Sequence, residues 1–71
     1  MKVHIARRDE EIIGRYKVTI LYDAEDKILG AIVEHPRAAR PVYLAINEEI
    51  RIKLPRQVKS YLKKLGFKIV E

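Results

Sequence analysis

Tyr16-Lys17-Val18-Thr19-Ile20-Leu21-Tyr22 and Ile28-Leu29-Gly30-Ala31-Ile32-Val33, separated by Asp23-Ala24-Glu25-Asp26-Lys27, form a hairpin pattern, and the architecture follows from it. In the first run Tyr16, Val18, Ile20 and Tyr22 share one side of an alternating chain, with Lys17 and Thr19 on the other. That is the period of a half-buried strand. The five residues between the runs have the length of a hairpin loop. The second run is apolar throughout, which predicts a central strand covered on both faces.

Upstream, Val3 and Ile5 alternate with Lys2 and His4 and predict a short first strand. Residues 8–14 are charged and end at Gly14, and predict a connection. Downstream, His35-Pro36-Arg37-Ala38-Ala39-Arg40-Pro41 predicts a loop. Each proline pushes the residue before it into extended backbone, so this loop is stiff for its length. Residues 42–46 predict a strand, Asn47-Glu48-Glu49 a turn, and the alternating residues 50–54 a further strand.

Pro55 then opens a helix, where its missing N–H costs nothing. Val58, Tyr61, Leu62 and Leu65 recur at helical spacing on one face. Gly66 stands at the position that ends a helix, with Lys63 and Lys64 in the last turn where the dipole favours cations. Residues 67–70 predict a final short strand. The order β-β-β-β-β-α-β, without repeats or linkers, predicts one small basic α+β domain over residues 1–71. The expected form is a small curved antiparallel sheet or half-barrel of five to six strands, with one C-terminal amphipathic helix over its open face.

With 71 residues the chain buries only about 60–65% of its unfolded surface, so the core is small. It has no cysteine, which excludes a disulfide framework and a thiolate metal site. No apolar run approaches the ~18 residues of a spanning helix, and Met1-Lys2 leads into strand-like sequence rather than a signal peptide, so a cytoplasmic compartment and no membrane partner are expected. Gln, Asn, Ser, Thr and Met occur once each, while charged residues make up 35% of the chain. Avoidance of thermolabile side chains with heavy charge is a hyperthermophile signature, and points to an archaeal source.

Fifteen basic against ten acidic residues give a net charge of +5, which favours anionic partners. The excess is not evenly spread. Residues 1–34 carry six basic and seven acidic side chains, and residues 35–71 nine basic and three acidic. From Arg51 to Lys68 there are seven basic residues and no acidic one. On the predicted helix Arg56, Lys59 and Lys63, with Lys64 adjacent, form a stripe opposite the apolar face. Like charges at this spacing repel, and a purely structural helix would intersperse Glu. The stripe suits phosphates, each cation displacing condensed counterions; the alternative is a solvated face that keeps the protein dispersed.

Arg37 and Arg40, held between two prolines, offer planar donor forks suited to phosphate and base edges. The alternative is a plain crossover in which the prolines end neighbouring strands. Arg51 and Lys53 project from one face of their predicted strand and either extend the basic surface or form its solvent side. Tyr43 follows the basic loop, opposite Val42, Leu44 and Ile46, and is a candidate to stack on a base or else a half-buried tyrosine. Tyr16, Tyr22 and Tyr61 belong to the core or its rim.

Catalytic patterns are absent from the sequence. His4 and His35 have no ligand spacing, the three glycines are isolated, Ser60 lies mid-helix, and the acidic clusters 9–11 and 23–26 fall in predicted connections. No enzyme activity, metal or cofactor is expected.

Ile50-Arg51-Ile52-Lys53-Leu54-Pro55-Arg56-Gln57-Val58 with Leu62 resembles the strand–Pro–helix of the AbrB-like and ribbon-helix-helix DNA-binding families. Those families add a hairpin or a second helix, for which the residues after Leu65 leave one strand. His35-Pro36-Arg37, Arg40-Pro41 and Tyr43, with Leu54-Pro55, Val58, Tyr61-Leu62 and Gly66-Phe67, resemble small basic crenarchaeal proteins, some of them ribosome-associated. This second resemblance implies non-catalytic contact with ribosomal RNA through the loop and helix. The expectation is therefore an RNA-binding accessory module. The alternatives are a homodimeric DNA-binding regulator or antitoxin and a protein-interaction subunit of an archaeal complex. The candidate contacts are Arg37, Arg40, Tyr43, Arg51, Lys53, Arg56, Lys59, Lys63 and Lys64.

Overall fold

A computed structural model describes residues 5–70. The elements are β1 (Arg7–Ile13), β2 (Tyr16–Tyr22), β3 (Ile28–Glu34), β4 (Val42–Ala45), β5 (Glu49–Ile50), α1 (Arg56–Lys64) and β6 (Lys68–Ile69). Strands β1 to β4 form an antiparallel sheet in sequence order, and β5 pairs with β6 in parallel. The sheet does not close into a barrel; β1 and β4 are its edges.

The β2–β3 hairpin forms as its alternation requires. Val18 lies opposite Val33 and Ile20 opposite Ala31, and all four are buried. At the tip, Asp23 Oδ1 accepts the N–H groups of Glu25 and Lys27 at 2.8 and 2.9 Å, and Asp26 takes a left-handed φ of 66°. Strand β3 is central, as expected from its unbroken apolar run, but the expected cover on both faces is found only on the α1 side among the described residues: Ile32, on the other side, is half-buried.

Three expectations need correction. Residues 8–14 are not a connection: residues 7–13 form β1. Its burial pattern hides the strand period, because only Asp9 and Ile13 are partly covered at this edge and charge is tolerated almost everywhere. Ile5 is exposed and outside any strand, and Val3 and His4 lie outside the described residues. The alternation over residues 50–54 yields only the two-residue β5, whose parallel partner β6 arrives after the helix. Ile50 enters the core, whereas Ile52 is exposed and Leu54 only half-buried, since the chain there is crossing to the helix.

Helix α1 lies against the face of the sheet that carries Val18, Ile20, Ala31, Val33 and Leu44, and Val58 and Leu62 join them in one core. Pro55 is the residue just before the helix, with φ −58° and ψ 151°. At the other end Gly66 takes φ 104°. Its N–H reaches the Lys63 carbonyl at 3.0 Å, and the Phe67 N–H reaches that of Leu62 at 3.1 Å. This pair of bonds satisfies carbonyls the helix leaves open, and folds buried Phe67 back over Leu62.

The opposite face of the sheet has no helix among the described residues. Gly30 sits at its centre, and a Cβ there would come within 2.6 Å of both the Leu44 carbonyl and the Tyr43 hydroxyl. The missing side chain is the space that the end of the Tyr43 ring occupies.

Candidate nucleic-acid interface

The loop 35–41 and the crossing segment 51–54 come together. Between them lies a cleft of about 390 Å³ lined by Tyr16, Val33, His35, Arg37, Ala38, Arg40, Val42, Ile52, Lys53 and Leu54. Among the described residues its lining contains no acidic side chain. Arg37, Arg40 and Lys53, separated by up to sixteen positions in the chain, converge on one apolar-floored hollow. Among the described residues, none of the three has a carboxylate within ion-pair distance.

The loop owes its shape to local bonds. The Ala38 N–H reaches the His35 carbonyl at 3.0 Å, a turn with Pro36 at the position that proline favours. The Arg37 N–H donates to His35 Nδ1, also at 3.0 Å. An accepting Nδ1 puts the proton of the neutral ring on Nε2, which can donate to a ligand. The His35 ring packs on Tyr16, with centroids 4.8 Å apart and planes tilted by 58°. Sequence reasoning placed Tyr16 in the core or at its rim and gave His35 no role; the structure has Tyr16 half-buried at the rim, where the loop returns. Strand alternation alone does not show that its ring meets His35.

The helix carries a second set of cations, none of which lines the cleft. Arg56, Lys63 and Lys64 are exposed and Lys59 is half-buried. The first turn of α1 has no acidic residue and no side-chain cap, so its positive end is uncompensated two residues after Leu54 of the cleft. Arg56 and Lys64 also border a second hollow with Glu11, Ile13, Gln57, Ser60 and Tyr61. Burial pushes the Tyr61 phenol above its usual value, helped by the nearby charges of Glu11, Tyr22 and Asp9.

Two candidates stand apart. Arg51 is bound to Glu49 at 2.9 Å, so its charge is already compensated. Tyr43 points away from the cleft, which Val42 lines in its place, and lies on the helix-free face of the sheet at 57% exposure. The acidic residues collect elsewhere. Arg7 joins Asp9 and Asp26 and stacks 4.0 Å over Tyr22, and Lys17 pairs with Glu10. Among the described residues no group of three or more His, Asp or Glu side chains could hold a metal ion, and no helix is long and apolar enough to cross a membrane.

No protein-family model, curated protein or solved structure matches the chain.

Proposed function

We propose that this chain is a non-catalytic, cytoplasmic RNA-binding module of the ribosome-associated kind. The observation that carries the reading is the acid-free cleft into which Arg37, Arg40 and Lys53 converge. Its volume lies in the range of small-ligand sites and suits one nucleotide unit at a time. The three cations would hold the phosphates. The Tyr16–His35 ring pair and the wall of Val33, Val42 and Leu54 would take the base. The helix stripe of Arg56, Lys59, Lys63 and Lys64 would follow the backbone beyond the cleft.

A single concave site with rings at its margin favours an unpaired RNA base over a duplex, whose bases are stacked and out of reach. The test is fluorescence anisotropy with a hairpin RNA carrying an open loop, and with duplex DNA, across a salt series. The reading predicts tighter binding to the RNA and a steep loss of affinity with salt. Failure to bind at ~100 mM salt, or a flat salt response, would overturn it, because phosphate contacts release counterions. Stronger binding to palindromic duplex would favour a DNA-binding regulator. A stoichiometric protein partner that survives nuclease treatment would favour an interaction subunit.

A further inference from the structure

Among the described residues strand β1 offers an open edge of seven residues whose sequence is Arg7-Arg8-Asp9-Glu10-Glu11-Ile12-Ile13. Which of its backbone groups face outward can be derived. Gly14, with φ 61°, and Arg15 make a two-residue turn that brings Ile13 opposite Tyr16. In such a hairpin the flanking pair exchanges hydrogen bonds, and so does every second pair beyond it. Ile13, Glu11, Asp9 and Arg7 therefore bond to β2. The Ile46 N–H, which reaches the Leu29 carbonyl at 3.2 Å across the sheet, fits the same alternation carried through β3. Arg8, Glu10 and Ile12 are left with their N–H and C=O groups turned to solvent.

A second copy can pair antiparallel to this edge about a two-fold axis only if outward-facing residues meet outward-facing residues. The axis must then pass through a residue opposite its own copy. Centred on Arg8, arginine faces arginine. Centred on Glu10, glutamate faces glutamate and Asp9 faces Glu11. Centred on Asp9, Arg8 faces Glu10 twice on one face of the sheet, and Arg7 faces Glu11 twice on the other. The one like pair, Asp9 with Asp9, is relieved by Arg7 of the same chain at 3.2 Å. Among the described residues Arg8 and Glu11 have no ion pair within their own chain. Ile12, 68% exposed, would be drawn alongside the second chain.

We infer that β1 is a self-recognition edge, and that two copies join through it, centred on Asp9, into one continuous eight-stranded antiparallel sheet. The charges that guard an edge against other strands are ordered here so that one register with its own copy is complementary. The contact is short, so the dimer is weak and concentration-dependent, and it weakens further with salt.

Sedimentation equilibrium over a concentration series tests this. Wild type should dimerise. Arg8→Glu and Glu10→Arg should each be monomeric, an equimolar mixture of the two should dimerise, and the doubly swapped chain R8E/E10R should regain the dimer. Hydrogen exchange should show the Arg8 and Glu10 amides gaining protection as concentration rises. A wild-type chain that stays monomeric at ~1 mM would overturn the inference. So would an Arg8→Glu chain that dimerises as wild type does, or a folded mixture that fails to pair. None of these readouts depends on RNA.

Discussion

His35 and Tyr16 meet across the opening of the β2–β3 hairpin, their ring centroids 4.8 Å apart, and this contact brings the basic loop onto the sheet. Tyr16 packs against the core, whereas His35 belongs to the loop. Replacing His35 by Ala should leave the core intact and remove half of the ring platform along with the Nδ1 acceptor for the Arg37 N–H. RNA affinity is expected to fall about tenfold, the size of one lost stacking partner, with the melting temperature changed by only a few degrees. Anisotropy and thermal denaturation of the same preparation check both halves.

Leu62 and the Lys59/Lys63 pair separate folding from binding on one helix. Leu62 has no solvent exposure, so Leu62→Ala should cost roughly 2–5 kcal/mol by leaving a cavity under Phe67. Lys59→Glu with Lys63→Glu lies off that face and should keep the fold. It eases repulsion within the stripe and opposes the dipole at Lys63, effects that offset each other at tenths of a kcal/mol. RNA affinity of this charge-reversed chain should drop more than tenfold. Urea denaturation with parallel RNA titration distinguishes the two variants.

The raised phenol of Tyr61 predicts an alkaline limit to stability. Folded Tyr61 holds its proton more tightly than the unfolded chain, whose phenol titrates near 10.0. Its contribution is complete below that value. As pH rises toward the folded value the unfolded chain loses its proton first, and stability falls. Tyr61→Phe should therefore flatten the decline of the urea midpoint as the pH rises above 10.0. Equal declines in both chains would show that Tyr61 is not the group responsible.

The sequence carried the hairpin and the helix because each has a strong periodic signal and an end marker: Asp23 to Lys27 for one, Pro55 and Gly66 for the other. Strand β1 escaped because an edge strand of a small two-layer domain needs only Ile13 and part of Asp9 covered, leaving no alternation to read. The segment 51–54 misled for the opposite reason. Its alternation is real, but Ile52 and Leu54 wall a cleft rather than continue a ladder. Of the candidate site, the cations were visible as an absence of acid. Their sorting was not, since the convergence of Arg37 and Arg40 on Lys53 depends on how the loop meets segment 51–54, and the pairing of Arg51 with Glu49, two positions away, on how the chain bends after β5.

The most direct measurement compares the salt dependence of RNA binding for wild type and a chain carrying Arg37→Ala, Arg40→Ala and Lys53→Ala. All three side chains lie outside the core, so circular dichroism should show the variant folded. The account predicts at least a thirtyfold loss of affinity at moderate salt, roughly, and a plot of log affinity against log salt that is shallower by about two to three. A folded variant with wild-type affinity and slope would contradict it, and would leave the cleft as a feature of the surface without a part in RNA binding.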